Sequence, residues 1–227
     1  MTQVAVPAMR DSYVNAVAPD SNYGASSLIA MGVLILGGSK GQVNRPIANF
    51  DISAVPASAV ILGAKMRRNI TVVDASGHAC SILRCTRPAQ WTENGVTWNK
   101  YDGMTAWTAG GGDYDAVTPT PVSYNEPLAA GDHEIPGLDG FVRDAIALRG
   151  GIVSLIMKND NEAPSVSQRS FWYSGSSWQL VIEYEAARAA GDRMSFGSRR
   201  PRAPARAARP SRPRRPARPS SMSGGST

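Results

Sequence analysis

Short stretches rich in valine, isoleucine and aromatic residues recur along most of the chain, separated by glycine, proline, asparagine and aspartate. In WQLVIEY, residues 178–184, the side chains of Leu180 and Ile182 point to one side of a strand, and those of Val181 and Glu183 point to the other. Runs of this length and composition are typical of β-strands. The predicted strands cover residues 11–17, 27–36, 46–52, 60–73, 79–86, 96–98, 105–108, 119–124, 152–158, 169–174 and 179–185.

One segment spaces its apolar residues as a helix does. In GLDGFVRDAIALRGG, residues 137–151, an apolar stripe is followed by two glycines that suit a helix end. Many short strands with a single late helix predict an all-β antiparallel β-sandwich with one short helix. The stripe consists of Phe141, Val142, Ala145, Ile146 and Leu148.

Residues 188–227 consist almost entirely of arginine, proline, alanine, serine and glycine. They hold eleven arginines and one acid, so they carry the basic character of a chain whose net charge is +6, and the remainder is mildly acidic. Because so little apolar surface cannot offset the entropy of ordering, we expect a disordered tail. The predicted organisation is an N-terminal arm at residues 1–8, a sandwich domain at 9–187 and a basic Arg/Pro/Ser-rich tail at 188–227.

The N-terminal sequence has no basic segment followed by an apolar run, which predicts no signal peptide and synthesis in the cytoplasm. The most apolar stretch, residues 28–36, is shorter than the ~20 residues of a membrane-spanning helix, so we expect no membrane insertion. Cys80 and Cys85 lie five positions apart on a predicted strand and should point to opposite faces, as free thiols.

Five segments follow one another in a recognisable order: DSYVNAV at residues 11–17, NYG at 22–24, ANFDISAVPASAVILGAKMR at 48–67, WTENGVTWN at 91–99 and SFWYSGSSWQLVIEY at 170–184. Together they resemble the DNRLRE domain family, whose jelly-roll β-sandwich is related to carbohydrate-binding modules. The likeness spans about residues 9–185 and implies a jelly roll for this chain.

The chain also departs from the family pattern. It reads Ser-Trp-Gln-Leu at residues 177–180, where the family commonly has Arg-Pro-x-Leu, and the Arg/Pro tail is no part of the pattern. Family members usually occur in secreted bacterial proteins or in phage particles. Combined with the leader-less N-terminus, the resemblance implies a virion-associated protein, by analogy rather than by residue chemistry.

Trp91 and Trp98 allow two interpretations. Their rings could stack on a sugar, with Glu93 or Asn99 binding its hydroxyl groups, or they could fill the core with their N–H groups satisfied by the backbone. The structural interpretation is favoured, because Trp98 opens a short predicted strand.

Aromatic residues in or beside loops are better candidates for sugar binding, since binding residues concentrate in loops. An exposed ring covers the C–H groups of a sugar while neighbouring polar side chains bind its hydroxyl groups. Trp172 should face the opposite way from Phe171 and Tyr173, so at least one of these three rings should face solvent. The glycan-binding candidates are Tyr101, Trp107, Tyr114, Trp172 and Trp178.

No cofactor is predicted, apart from a structural calcium ion that Asp113 and Asp115 could hold through their carboxylate oxygens. Solvated turns explain the two aspartates more simply, because they do not match an EF-hand loop. His78 and His133 lie among turn residues, which favours surface side chains over general bases. The sequence shows no Gly-x-Ser-x-Gly, His-Glu-x-x-His or P-loop motif, so we predict a protein that is not an enzyme.

The tail arginines could neutralise the phosphates of a nucleic acid or contact an acidic protein surface. These residues are Arg199, Arg200, Arg202, Arg206, Arg209, Arg212, Arg214, Arg215 and Arg218.

The preferred hypothesis is a non-catalytic structural or adhesive module of a phage particle. Its expected partners are other virion proteins and a cell-surface glycan. The alternatives are a free carbohydrate-binding module and a nucleic-acid-associated or polyanion-associated protein that acts through its basic tail.

Overall fold

The computed structural model describes residues 1–35, 41–73, 77–87, 89–163 and 167–187. The predicted disordered tail at residues 188–227 and its candidate arginines lie outside the described residues.

Within these ranges, twelve strands form one antiparallel sheet. Among the described residues there is one α-helix, α1 at Asp139–Leu148, and one short 3-10 helix at Gly175–Ser177. The strands are β1 Thr2–Pro7, β2 Arg10–Asn15, β3 Leu28–Leu34, β4 Gln42–Asp51, β5 Val60–Val73, β6 Ala79–Cys85, β7 Tyr114–Asp115, β8 Val122–Asn125, β9 Gly131–Pro136, β10 Ile152–Asn159, β11 Gln168–Tyr173 and β12 Gln179–Glu185.

The sheet folds over on itself to make a sandwich. Its strand order is β1-β12-β5-β11-β3-β4-β10-β6-β7, with β2 beside β4, β8 beside β6 and β9 beside β5. Strands β1, β12, β5 and β9 form one layer, which we call the front layer, and β2, β4, β10, β6, β7 and β8 form the back layer. Strands β11 and β3 join the two layers. Helix α1 contacts β5 in the front layer and β10 in the back layer.

The space between the layers is filled by side chains that point inward from both. Met66 and Leu180 come from the front layer, and Phe50 and Leu155 come from the back layer. Trp178 is fully buried among them, with its ring edge-on to Phe50 at 6.0 Å between ring centroids. The structure thus confirms the predicted all-β antiparallel sandwich with one short helix.

A charged pair is buried in this core. Arg68 of β5 donates two hydrogen bonds to the carboxylate of Glu126, at 2.9 Å and 2.5 Å, and Ser170 adds a third at 2.7 Å. The guanidinium lies over the rings of Trp172 and Tyr124, at 4.5 Å and 5.3 Å from their centroids. Removing one partner of such a pair would leave an uncompensated buried charge, which is strongly destabilising.

Nine of the predicted strands are present, with shifted ends in most cases, and β5 and β12 have the predicted bounds. The strands predicted at residues 96–98 and 105–108 are wrong, because this region forms a loop in which Lys100 and Ala106 make an isolated bridge. The sequence interpretation missed β1, β7 and β9. Residues 1–8, predicted as an arm, contribute β1, which pairs with β12 along the sheet edge.

The predicted helix is confirmed, and Phe141, Val142 and Ala145 are the members of its apolar stripe that are buried. Leu148, at the end of that stripe, is exposed. Cys80 and Cys85 are both free and buried, and they pack in different clusters on opposite faces of β6, as predicted.

The burial of Trp178 predicts the outcome of its truncation. Trp178→Ala should lower the free energy of unfolding by about 3–5 kcal/mol, because the cavity adds to the lost transfer free energy. Urea denaturation measures the change. Tyr173→Ala, at an exposed aromatic position, is the control and should change it by no more than about 0.5 kcal/mol. An equal loss of unfolding free energy in the two variants would contradict the burial of Trp178 in this core.

Candidate functional site

Both faces of the back layer, the inner and the outer, carry apolar side chains. On β4, Ala48 points into the main core while its neighbour Ile47 points outward. Val14 of β2, Ile156 of β10 and Cys85 of β6 join Ile47 in a second buried cluster. Because these side chains would otherwise face water, this layer needs a covering segment.

The cover loop, residues 89–113, supplies that covering segment. It places Trp91 and Trp107 on the apolar outer face, where both are buried. The indole N–H of Trp91 donates to Asn49 Oδ1 at 2.9 Å, and that of Trp107 donates to the Thr97 carbonyl at 3.0 Å. Trp91 is therefore a structural anchor of this loop.

Arg45 of β4 fixes the far end of the cover loop. Its guanidinium donates to both carboxylate oxygens of Glu162 at 2.7 Å and to the Gly111 carbonyl at 3.2 Å. It also lies 4.8 Å from the ring centroid of Trp98, which is half-buried. Gly111 has a φ of +86°, and a side chain there would collide with Arg45 and Trp98. This position therefore requires glycine.

A cleft of about 620 Å³ opens beside the fixed end of the loop. Its size lies within the range of small-ligand sites, about 300–1,000 Å³. Its lining combines guanidinium, hydroxyl, carboxylate and exposed backbone groups with one aromatic ring. The lining residues are Arg45, Thr86, Arg87, Thr108, Ala109, Gly110, Gly112, Asp113 and Tyr114. We call it the Tyr114 cleft.

Asp113 holds the polar wall of this cleft in place. Its carboxylate accepts hydrogen bonds from the Thr108 N–H at 2.8 Å, the Thr108 hydroxyl at 3.0 Å, the Ala109 N–H at 3.2 Å and Arg87 Nε at 3.2 Å. Burial acts to raise the pKa of Asp113, but these hydrogen bonds outweigh it, so the pKa lies below its ordinary value. The carboxylate is therefore ionised at neutral pH and offers Arg87 a fixed counter-charge.

Tyr114 forms the aromatic side of the cleft. It is half-buried on β7, paired with Cys85 across the sheet. Arg45 and Lys158 each lie 5.8 Å from its ring centroid. Its hydroxyl makes no hydrogen bond to any residue that the structure describes, so it can bind a ligand.

The structure separates the five glycan-binding candidates. Tyr114 lines the cleft, and Tyr101 lies close by, with Arg87 at 5.5 Å from its ring centroid. Trp107 is buried beneath the loop and contacts Tyr101 edge-on.

Trp172 and Trp178 do not offer a sugar platform in this structure. Both are fully buried between the layers, with ring centroids 5.4 Å apart. Alternation along β11 turns Trp172 inward, and the exposed ring of that hairpin belongs to Tyr173. The placement corrects the expectation that these two tryptophans face a ligand.

The two aspartates suggested for calcium use their carboxylates within the protein. Asp115 accepts the Val117 and Thr118 N–H groups at 2.8 Å and 3.0 Å and pairs with Arg84. The N–H hydrogen bonds, followed by the Arg84 charge, lower the pKa of Asp115. With their oxygens occupied in this way, both aspartates hold the loop backbone in place through hydrogen bonds.

Within the described ranges, one group of three side chains has metal-ligating atoms close together: His78, Cys80 and Glu126. All three are buried, which corrects the expectation of a surface position for His78. The Glu126 carboxylate is already bound by Arg68, and a metal cation would be repelled by that guanidinium.

The sequence interpretation missed three polar residues of the cleft, Arg45, Arg87 and Thr108. Arg45 lies inside a strand, and Arg87 and Thr108 are single residues at the two sides of a long loop. They come together only because Trp91 and Trp107 dock the loop on the sheet. The local sequence around each of these residues does not indicate that they line one cleft.

Residues 2–110 match the sequence profile of carbohydrate-binding module family 96. The matched region includes β1 to β6, most of the cover loop, and the cleft residues Arg45, Arg87 and Thr108. The match supports a relation to carbohydrate-binding modules, which are binding rather than catalytic domains. The chain matches none of the curated proteins.

In the part of the chain that the structure describes, no helix has the length and apolar character that crossing a membrane requires.

The ionised state of Asp113 predicts a pH-dependent contribution to stability. Because folding lowers its pKa, Asp113 stabilises the protein above the unfolded pKa of about 3.9, and this stabilisation is lost as pH falls through the folded pKa. Asp113→Asn should therefore lower the free energy of unfolding at pH 7 by about 1–2 kcal/mol. The difference between wild type and variant should shrink below about pH 4. Urea denaturation at pH 7 and pH 3 measures both values, and a difference that is the same at both would refute the assignment.

Proposed function

We propose that the protein is a non-catalytic glycan-binding module and that the Tyr114 cleft is its binding site. The observation that carries the proposal is the position of this cleft. The cleft combines an aromatic ring with hydrogen-bonding groups, and most of its lining residues belong to the region that matches a carbohydrate-binding module family.

The cleft contains the groups that a sugar requires. The ring of Tyr114 can cover the C–H groups of one sugar face, and its hydroxyl can bond at the edge. Thr108 and the backbone of Gly110 offer acceptors, and Arg87, whose side chain is about one-third exposed, offers donors. Because Asp113 and Glu162 hold the two arginines, these groups need little reordering when a ligand binds.

Removing the Tyr114 ring tests the site. Tyr114→Ala should weaken binding to glycans by about tenfold or more, because it removes the stacking surface, whereas Tyr114→Phe should retain most of it. An array of neutral and acidic oligosaccharides selects the ligand, and calorimetry on the full chain measures the affinity.

Met104→Ala is the matched control, because Met104 is 85% exposed on the cover loop and does not line the cleft. Affinity unchanged by Tyr114→Ala, or lost equally in Met104→Ala, would refute the role of this cleft.

The proposal includes a setting for the module, as a structural or adhesive part of a phage particle. Its support is the resemblance to the DNRLRE family, whose members include phage structural proteins. The gene should lie beside capsid, portal or tail genes, and mass spectrometry of purified particles should detect the protein. Particles that lack the protein would contradict this setting.

A further inference from the structure

A second cleft, of about 440 Å³, lies on the outer face of the front layer. The Tyr114 cleft lies on the outer face of the back layer, so the main core separates the two. The second cleft combines one exposed aromatic ring with amide, hydroxyl and charged groups. Its lining residues are Arg67, Asn69, Asp132, Tyr173, Ser176, Ser177 and Gln179. We call it the Tyr173 cleft.

The aromatic ring is held at the surface by its neighbour in the chain. Trp172 is fully buried and pairs with Ile70 of β5, so the next residue, Tyr173, must point outward. Tyr173 is 49% exposed, and its hydroxyl makes no hydrogen bond to a described residue. A ring that is anchored at its backbone and open on its outer side is suited to cover an apolar ligand face.

The floor of the cleft consists of cross-strand polar pairs. Asn69 of β5 faces Asp132 of β9, and its amide donates to Asp132 Oδ1 at 2.6 Å. Arg67, two residues before Asn69, faces Glu134 and donates to it through Nε at 3.1 Å and Nη2 at 2.9 Å. Gln179 of β12 faces Arg67 from the other side. Alternate residues of a strand are about 6.5–7 Å apart, so the floor offers two parallel polar rows.

The turn beside Tyr173 is fixed from the interior. Gly175 has a φ of +66°, and its N–H donates at 2.5 Å to Asp11, a buried carboxylate of β2. Gln179 donates to the Ser176 carbonyl at 3.1 Å. The hydroxyls of Ser176 and Ser177 are therefore presented by a turn whose shape does not depend on a ligand.

The charges of the cleft indicate the class of ligand. The lining holds one cation, Arg67, and one anion, Asp132, so it carries no net charge. Glu134 beside it pairs with both Arg67 and Lys65. Paired groups still offer hydrogen bonds, since Arg67 Nη1 and Asp132 Oδ2 have no partner among the described residues. The cleft therefore offers an aromatic ring, several donors and several acceptors, and it carries no net charge. These properties match the chemistry of a neutral sugar.

We propose that the Tyr173 cleft is a second glycan-binding site, specific for an uncharged sugar. The proposal rests on the proposed function for the class of ligand, but it uses a different surface and different residues. Because the two clefts lie on opposite outer faces, one molecule can hold two glycan chains at once. Such bivalency raises the apparent affinity for a surface that carries many glycans.

The test uses the full chain and neutral oligosaccharides of glucose, galactose, mannose and xylose, with polygalacturonate as the acidic comparison. Calorimetry should show that a neutral sugar still binds Tyr114→Ala. Tyr173→Ala and Asp132→Ala should each weaken that residual binding by about tenfold or more. Leu62→Ala is the matched control, because Leu62 lies on β5, does not line the cleft and is also 49% exposed. It should leave the affinity unchanged.

The outcomes separate the two sites. Loss of all neutral-sugar binding in Tyr114→Ala, with wild-type affinity in Tyr173→Ala, would overturn the second site and leave the proposed function standing. Loss of neutral-sugar binding in Tyr173→Ala but not in Tyr114→Ala would support binding at the Tyr173 cleft and refute binding at the Tyr114 cleft. Absence of binding to any neutral sugar by the wild type would overturn the second site, and the acidic probe would then decide the proposed function separately.

Discussion

The back layer carries apolar side chains on both of its faces, and this constraint governs the rest of the molecule. Its inner face completes the sandwich core, and its outer face, with Ile47 and Ile156, must also be removed from water. The cover loop meets this requirement with Trp91 and Trp107 rather than with another strand. A loop anchored in this way has a fixed edge, and the Tyr114 cleft forms along that edge.

Both proposed sites use charge pairs to hold polar groups in position. Asp113 keeps Arg87 at the first cleft, and Glu134 keeps Arg67 at the second. A surface charge pair by itself contributes little to stability, and the predicted stabilisation by Asp113 comes mainly from its hydrogen bonds to Thr108 and Ala109. We therefore ascribe to the charge pairs a different role, the ordering of donors before a ligand arrives. The buried Arg68–Glu126 pair differs, because it lies in the main core without access to a ligand.

The strongest sequence signals came from strands whose apolar residues alternate. For β5 and β12 this pattern predicted both ends, whereas β9 was missed because Ile135 is its one inward apolar side chain. Alternation also predicted that Trp172 and Tyr173 face opposite ways, but not which of them faces water. That choice depends on how β11 pairs with β5.

The Tyr114 cleft could not be predicted, since its lining residues come from parts of the chain that are far apart. Arg45 binds Glu162 across 117 positions and also donates to the Gly111 carbonyl of the cover loop. By contrast, Tyr114 was identified as a glycan-binding candidate because it lies beside a glycine-rich loop, and loops commonly carry binding residues. Asp113 was identified only as a possible calcium ligand, and its role in holding Arg87 was not predicted.

The central claim is that a fixed cover loop provides a glycan-binding edge, and a nuclear magnetic resonance titration tests it most directly. The full chain, labelled with nitrogen-15, is titrated with the array glycan of highest affinity. We predict that the backbone amides of Thr108, Gly110 and Tyr114 shift while the indole N–H signals of Trp91 and Trp107 stay in place. Indole signals that move or broaden, with the three amides unchanged, would contradict the account.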